Sequence, residues 1–230
     1  MTESYLLMLP MPGGDRECRI SFSRQGSVLQ GTVTNPYNPG DRCPIYEGTI
    51  TGNQISLKAD VGRIQFVFSG TVETDALRLD FTTHETIPLE PGKRLSGERG
   101  KLAGEYLVGV YSPGGVKENH FVVTRSGNVY GGEMFCLMDQ KTLDFMEKMM
   151  AGGPPMDARG DMPPMKKPKL GDKCDVNPFL AVTGDENAFE ITTKTGSGSL
   201  FVFVGSIAGD EINMTLHVTD ITSGLIAAKV

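Results

Sequence analysis

The chain has 230 residues, of which 39% are hydrophobic and 22% charged, and its formal net charge is −6 with a pI near 5.1. This length suits either one large β domain or two domains of roughly 100 residues. The acidic excess disfavours a nucleic-acid partner, because binding to phosphates requires a basic surface.

The N-terminal stretch "MTESYLLMLPMPGG" lacks the basic start of a signal peptide. No apolar stretch approaches the ~20 residues that a membrane-spanning helix needs. We therefore expect a cytoplasmic protein without a membrane partner. Its four cysteines, Cys18, Cys43, Cys136 and Cys174, are expected to be reduced thiols. None lies in a CxxC pair, so the spacing predicts no metal site and no cofactor.

The chain contains an internal sequence repeat. The segment "YLLMLPMPGGDRECRISFSRQGSVLQG", which starts at Tyr5, aligns without gaps with "YLVGVYSPGGVKENHFVVTRSGNVYGG", which starts at Tyr106. Further on, "GDRC" at 40–43 matches "GDKC" at 171–174, and "FVFSG" at 66–70 matches "FVFVG" at 201–205. The offset grows between the first and last matches. The sequence therefore predicts a tandem duplication, with an insertion in the second copy at about 137–170.

Each copy shows the pattern of short β-strands. Apolar and polar residues alternate in "RISFS", and glycine turns such as "RQGSV" and "TGNQI" separate the strand segments. We expect about seven strands in each copy, joined as antiparallel meanders that close into barrels. The predicted organisation is a first β-barrel repeat at 1–85, a linker at 86–103 that contains two prolines, and a second β-barrel repeat at 104–230.

The segment "GTITGNQISL", followed by "FVFSGTVETDALRL", resembles small bacterial lipocalin-like β-barrel domains. In that family a strand, a Gly-Asn or Gly-Asp turn and a second strand precede an F-x-G-x-V motif. The resemblance covers most of both copies outside the insertion. It implies an all-β, lipocalin-like fold in each copy, and it implies no particular activity.

The insertion is rich in methionine and proline, and its first part has the pattern of a helix. Asp139 is the expected N-cap, and Leu143, Met146, Met149 and Met150 share one face. This face either covers an exposed barrel end or the seam between the copies, closes as a lid over an apolar ligand, or binds a soft metal through thioethers. We name these four residues with Tyr106 as candidate ligand-binding residues.

Candidate catalytic residues are few. Alternation places Asp80 and His84 on one strand face, and His217 lies on the corresponding strand of the second copy. A solvated strand face explains these residues most simply. If that face lined a cavity instead, Asp80 and His84 would be candidates for an acid–base pair.

The sequence leaves three classes of function open. The first is binding of a small apolar or amphipathic molecule, in a barrel cavity or at the repeat interface. The second is a cofactor-independent enzyme of the isomerase, cyclase or hydratase type. The third is a structural or protein-interaction module. A fused duplicate often reproduces an ancestral dimer, and a homo-oligomer also remains open.

Overall fold

A computed structural model describes residues 2–11, 14–112, 115–144 and 169–230. Within these ranges the chain is almost entirely β, as predicted, with one short helix at 140–144. The strands are β1 (Thr2–Leu9), β2 (Arg16–Gln25), β3 (Val28–Asn35), β4 (Asn38–Thr51), β5 (Gln54–Val61), β6 (Ile64–Val72), β7 (Ala76–Pro88), β8 (Gly92–Ser96), β9 (Gly104–Ser112), β10 (Gly115–Ser126), β11 (Val129–Leu137), β12 (Lys173–Gly184), β13 (Phe189–Lys194), β14 (Leu200–Ala208) and β15 (Glu211–Lys229).

The chain divides into two compact units. Unit 1 comprises Met1–Ile87, Gly198–Phe201 and Leu216–Val230, and unit 2 comprises Pro88–Ser197 and Val202–Thr215. The first boundary lies close to the predicted end of the first repeat at residue 85. Two features differ from the predicted organisation. The segment predicted as a linker, 86–103, contains strand β8, and the C-terminal part of β15 belongs to unit 1.

Unit 1 is a closed eight-stranded antiparallel barrel. Strands β1 to β7 pair in chain order, and the C-terminal part of β15 pairs with both β7 and β1. Apolar side chains of the strands pack together in its interior. The rings of Phe66 and Phe68 each lie 4.9 Å from the ring of Phe81, and Tyr5 stacks on Phe22 at 5.6 Å. This packing follows from the strand alternation, which directs every second side chain inward.

Unit 2 has the same strand order. Strands β8 to β14 are neighbours in sequence, and the N-terminal part of β15 pairs with β8, which closes the ring. Its core includes Tyr106, Ile191 and Phe121, all fully buried, and the ring of Phe121 meets that of Phe203 edge-on at 4.8 Å.

Glycines allow close strand contact at matched points of both units. A Cβ atom on Gly70 would lie 1.9 Å from the carbonyl oxygen of Arg78, and one on Gly205 would lie 2.1 Å from that of Asn213. These are the glycines that follow the two FVF motifs, and a glycine within a strand often marks such a close backbone approach. A side chain at either position would require the neighbouring strand to move.

The predicted helix begins as expected. Its described part spans 140–144, and the side chain of Asp139 accepts a hydrogen bond of 2.7 Å from the backbone N–H of Thr142. This is the bond of an N-cap residue. The rest of the predicted Met-rich face, including Met146, Met149 and Met150, lies outside the described residues.

Candidate functional site

One end of unit 2 contains a pocket of about 390 Å³. It is lined by Gly97, Glu98, Lys101, Ala103, Gly104, Arg125, Tyr130 and Glu186. This volume lies within the range of small-molecule sites, and the mouth of a β-barrel is a frequent location for them.

Three connections of the meander build the pocket walls. They are the β8–β9 loop, the β10–β11 hairpin and the β12–β13 turn. In an antiparallel meander every second connection lies at the same end of the sheet, so these three meet although they are far apart in sequence. The pocket therefore arises from the order of the strands in the sheet rather than from one local sequence motif.

The β8–β9 loop is fixed by two buried side chains beneath it. The hydroxyl of Tyr106 donates hydrogen bonds to the carbonyl oxygens of Lys101 (2.6 Å) and Leu102 (3.1 Å). The guanidinium of Arg94 donates to the carbonyl oxygens of Lys101 (2.6 Å) and Ala103 (3.4 Å). Backbone carbonyls that are shielded from water need a hydrogen-bond partner, and here two side chains supply it, which restrains the loop.

The side chain of Arg94 is itself fixed by contacts with Tyr106 and Asp210. Its Cζ lies 4.7 Å from the centre of the Tyr106 ring, and its Nε is 3.7 Å from a carboxylate oxygen of Asp210. Only 5% of its side chain is exposed. Burial also raises the pKa of the Tyr106 hydroxyl, despite the opposing effect of Arg94, so the tyrosine stays a neutral donor. Both residues therefore act as fixed supports beneath the pocket.

The pocket walls carry both signs of charge. Lys101 Nζ lies 3.7 Å from a carboxylate oxygen of Glu186, and Glu98 is a second acidic residue of the lining. On the hairpin, Arg125 donates through Nε to the carbonyl of Gly127 at 2.8 Å, and its Cζ lies 5.3 Å from the centre of the Tyr130 ring. A guanidinium has five N–H donors, and this bond uses one of them. The arrangement can bind an anionic group beside a flat apolar surface.

A second cluster of unit 2 contains thiols. The Sγ atoms of Cys136 and Cys174 and a carboxylate oxygen of Asp175 lie within 4.8 Å of one another, and they form a group that could hold a metal ion. Burial raises the pKa of Cys136 to about 12, and a hydrogen bond from Lys117 holds the pKa of Asp175 below its usual value. The cluster shares no residue with the pocket.

No family model, curated protein or solved structure matches this chain. The function is therefore argued from the geometry of the site. Among the described residues, no helix is long and apolar enough to cross a membrane.

Of the five residues predicted to bind a ligand, the structure describes two, Tyr106 and Leu143. Tyr106 is fully buried beneath the β8–β9 loop and is not part of the pocket lining. Leu143 is partly buried on the short helix. Met146, Met149 and Met150 lie outside the described residues, so the predicted lid stays a prediction.

The predicted catalytic residues are bonded to other groups. His84 and Asp80 are both exposed on β7. His84 Nδ1 lies 3.1 Å from the hydroxyl of Thr219, and Asp80 accepts a hydrogen bond from the backbone N–H of Gly224. His217 Nδ1 lies 3.1 Å from the hydroxyl of Thr86. Positions four apart on a strand are separated by about 13 Å, so the backbone does not bring Asp80 and His84 together.

A different histidine has a carboxylate partner. His120 Nδ1 lies 2.7 Å from a carboxylate oxygen of Glu105, and its ring stacks on Phe135 at 5.1 Å. Neither His120 nor Glu105 lines the pocket. Sequence reasoning assigned no role to Arg94 or Lys101, because both lie in the segment taken for a linker.

Proposed function

We propose that this protein binds a small amphipathic molecule in the pocket at the end of unit 2. The observation that supports this proposal is the combination of volume and lining: about 390 Å³, with the Tyr130 ring next to Arg125 and with Lys101 of the β8–β9 loop also in the lining. Small-molecule sites typically combine apolar or aromatic walls with a few placed polar groups. A cytoplasmic location is part of the same proposal.

The lining suggests the chemistry of the ligand. An anionic group, such as a carboxylate or sulfonate, would pair with the guanidinium of Arg125. A flat apolar portion would pack on the ring of Tyr130. Glu98 and Glu186 disfavour a ligand with several negative charges, because like charges repel in a confined site. This supports an amphipathic ligand over the purely apolar one that the sequence left open.

The support beneath the pocket also favours binding. The β8–β9 loop is held by hydrogen bonds from Arg94 and Tyr106 to its backbone. A loop that is already ordered loses little conformational entropy when a ligand binds. The proposal thus requires no large rearrangement of the described residues.

The test uses 1-anilinonaphthalene-8-sulfonate, an anionic aromatic probe whose fluorescence rises in apolar surroundings. We expect one saturable site per chain in the native protein and at least ten-fold weaker binding in Arg125→Ala, since a charged hydrogen bond contributes about 1.5–3 kcal/mol. The matched control is Arg24→Ala. Arg24 donates through Nε to the carbonyl of Gly26 at 2.7 Å, the same bond that Arg125 makes to Gly127, and it lines no part of this pocket.

Native mass spectrometry of the freshly purified protein provides a second measurement, because it reveals any co-purifying ligand. A bound mass that is lost in Arg125→Ala and kept in Arg24→Ala would support the proposal. Equal probe binding by the native protein and both variants would exclude this pocket as the site.

We also infer that the two units descend from one duplicated unit. Arg24 and Arg125 make the same backbone bond, and Tyr5 and Tyr106 are both fully buried. The glycines after the FVF motifs meet the same kind of carbonyl contact in each unit. Matched environments at matched sequence positions support this origin. The lipocalin-like resemblance stays a prediction.

A further inference from the structure

Two cysteines and an aspartate meet on neighbouring strands of unit 2. Cys136 on β11 and Cys174 on β12 are direct partners in the strand register, and their Sγ atoms lie 3.5 Å apart. Cys136 Sγ is 3.4 Å from Asp175 Oδ2. Thirty-seven residues separate the two cysteines in sequence, so no spacing motif reveals the cluster.

The backbone is irregular at this point, in a way that brings the three groups together. In a regular strand, the side chains of Cys174 and Asp175 would point to opposite faces. Asp175 has φ of 49°, the one left-handed conformation recorded for a non-glycine residue within the described ranges. The register also shifts between Met134 and Cys136. Such strain persists where the surrounding structure enforces it, and it concentrates at functional sites.

We propose that Cys136, Cys174 and Asp175 bind a zinc ion. A tetrahedral Zn²⁺ site has Zn–S distances of about 2.3 Å and Zn–O distances of about 2.0 Å, so neighbouring ligand atoms lie roughly 3.5–3.8 Å apart. The two distances of 3.5 and 3.4 Å already come close to this spacing. Thiolate and carboxylate ligands suit Zn²⁺, and the fourth position would be taken by water.

Lys117 balances the charge of the proposed site. Two thiolates and one carboxylate carry three negative charges, and a dication with one ammonium neutralises them. Lys117 Nζ lies 2.6 Å from Asp175 Oδ2, the same oxygen that lies near Cys136 Sγ. A carboxylate oxygen has two lone pairs, so this atom can accept from the ammonium and still face the ion. Partners of this kind orient a ligand without touching the metal. The amide of Asn177 also donates to the backbone carbonyl of Asp175 at 2.7 Å and fixes the strand there.

An ion can reach the site from solvent. Cys136 is buried, but 67% of the Asp175 side chain and 39% of the Lys117 side chain are exposed. The lysine stem is flexible, so the ammonium can move as the ion enters.

Unit 1 supplies a matched control within the same chain. Cys43 occupies the position that corresponds to Cys174 in the repeated GDRC and GDKC motifs, and Pro44 stands where unit 2 has Asp175. Cys43 lies near the buried thiol of Cys18, since the two interact electrostatically. Unit 1 therefore has two thiols in proximity, with proline at the position of the third ligand.

The test uses Co²⁺ as a spectroscopic substitute for Zn²⁺, with the full-length protein reduced and free of oxygen. We expect one equivalent to bind with an intense thiolate-to-cobalt absorption band, and excess Zn²⁺ to remove that band. Cys174→Ser should abolish the band, and Asp175→Asn should weaken binding at least ten-fold. Cys43→Ser should bind like the native protein.

Two further measurements distinguish a loss of metal binding from a loss of folding. Circular dichroism verifies that each variant is folded, and Cys174 and Asp175 are chosen because neither is fully buried. Thermal melts with Zn²⁺ should show a rise in melting temperature for the native protein and Cys43→Ser, and no rise for Cys174→Ser. The absence of a saturable band in the reduced native protein would overturn the proposal. So would equal binding by Cys174→Ser.

Discussion

The two units have tyrosines at matching positions of the sequence repeat, and the surroundings of these tyrosines differ. Tyr5 and Tyr106 are both fully buried, and each has a cation near its ring. In unit 1 the cation is Lys229, 5.9 Å from the ring centre, and the hydroxyl donates to a carboxylate oxygen of Glu3 at 2.7 Å. In unit 2 the cation is the buried Arg94 at 4.7 Å, and the hydroxyl donates to two carbonyls of the β8–β9 loop. The same barrel residue is therefore coupled to a pocket wall in unit 2, whereas in unit 1 its hydroxyl bonds to the side chain of Glu3.

This difference extends to the proposed sites. Where unit 2 has Tyr130 in the pocket wall, unit 1 has the buried Leu29 at the matching position. Where unit 2 has Asp175 beside the thiols, unit 1 has Pro44. The residues that repeat hold the framework, as Arg24 shows with its bond to the hairpin. The proposed sites therefore combine two repeated residues, Arg125 and Cys174, with residues that do not repeat, such as Tyr130 and Asp175.

The largest expected effect is the difference in stability loss between removing the charge of Arg94 and removing that of Lys229. Arg94→Met should lower the free energy of unfolding by about 2–4 kcal/mol, because loop carbonyls lose charged hydrogen bonds and Tyr106 loses its stacked cation. Lys229→Met should cost about 0–1 kcal/mol, since 41% of the Lys229 side chain is exposed. Urea denaturation of both variants measures the difference.

Arg94→Met should also weaken binding of the anilinonaphthalene probe, since the β8–β9 loop loses its support. Lys229→Met is the control for general destabilisation. Equal losses of stability in the two variants would mean that the tyrosine–cation pairs are equivalent, and the proposed coupling between Arg94 and the pocket would then be wrong.

The all-β fold was predictable because its signals are local. Alternation in "RISFS" and glycine turns specify strands and hairpins, and those elements are observed. The pairing of β15 was not predictable, because it depends on contacts between residues far apart, such as Ala227 with Leu77. Strand β8 was missed because its flanking prolines, Pro88 and Pro91, gave the segment the composition of a linker.

The candidate sites were less predictable than the fold. The pocket combines Lys101, Arg125 and Glu186, which belong to three separate connections. The thiol cluster requires a strand register and the unusual backbone of Asp175, neither of which a spacing rule contains. Arg125 does lie in the repeated segment, but repetition by itself does not distinguish a ligand-binding residue from a structural one. A comparison of the two copies for differences, such as Asp175 against Pro44, is the sequence signal that could have indicated the thiol cluster.

A smaller effect is expected from the two tyrosine hydroxyls. Tyr106→Phe should cost about 1–3 kcal/mol, because the carbonyls of Lys101 and Leu102 lose a donor and the latter bond is buried. Tyr5→Phe should cost about 0.5–1.5 kcal/mol, since Glu3 keeps its 2.8 Å ion pair with Lys229. Thermal or urea denaturation gives both values. If Tyr5→Phe lost more stability than Tyr106→Phe, the expectation that the hydroxyl of unit 2 contributes more would be wrong.

The smallest expected effect is a pH dependence that comes from the buried Cys18 thiol of unit 1. Burial raises the pKa of Cys18 from 9.0 to about 12, whereas the matching residue of unit 2, Asn119, does not ionise. The folded state therefore keeps a proton that the unfolded state releases as the pH rises above about 9. This contribution to stability is complete below pH 9 and is lost progressively between pH 9 and pH 12, at about 1.4 kcal/mol per pH unit. We expect Cys18→Ala, although less stable at pH 7, to lose about 1 kcal/mol less than the native protein between pH 7 and pH 10. Identical losses would show that the Cys18 thiol ionises as readily in the folded barrel as in the unfolded chain.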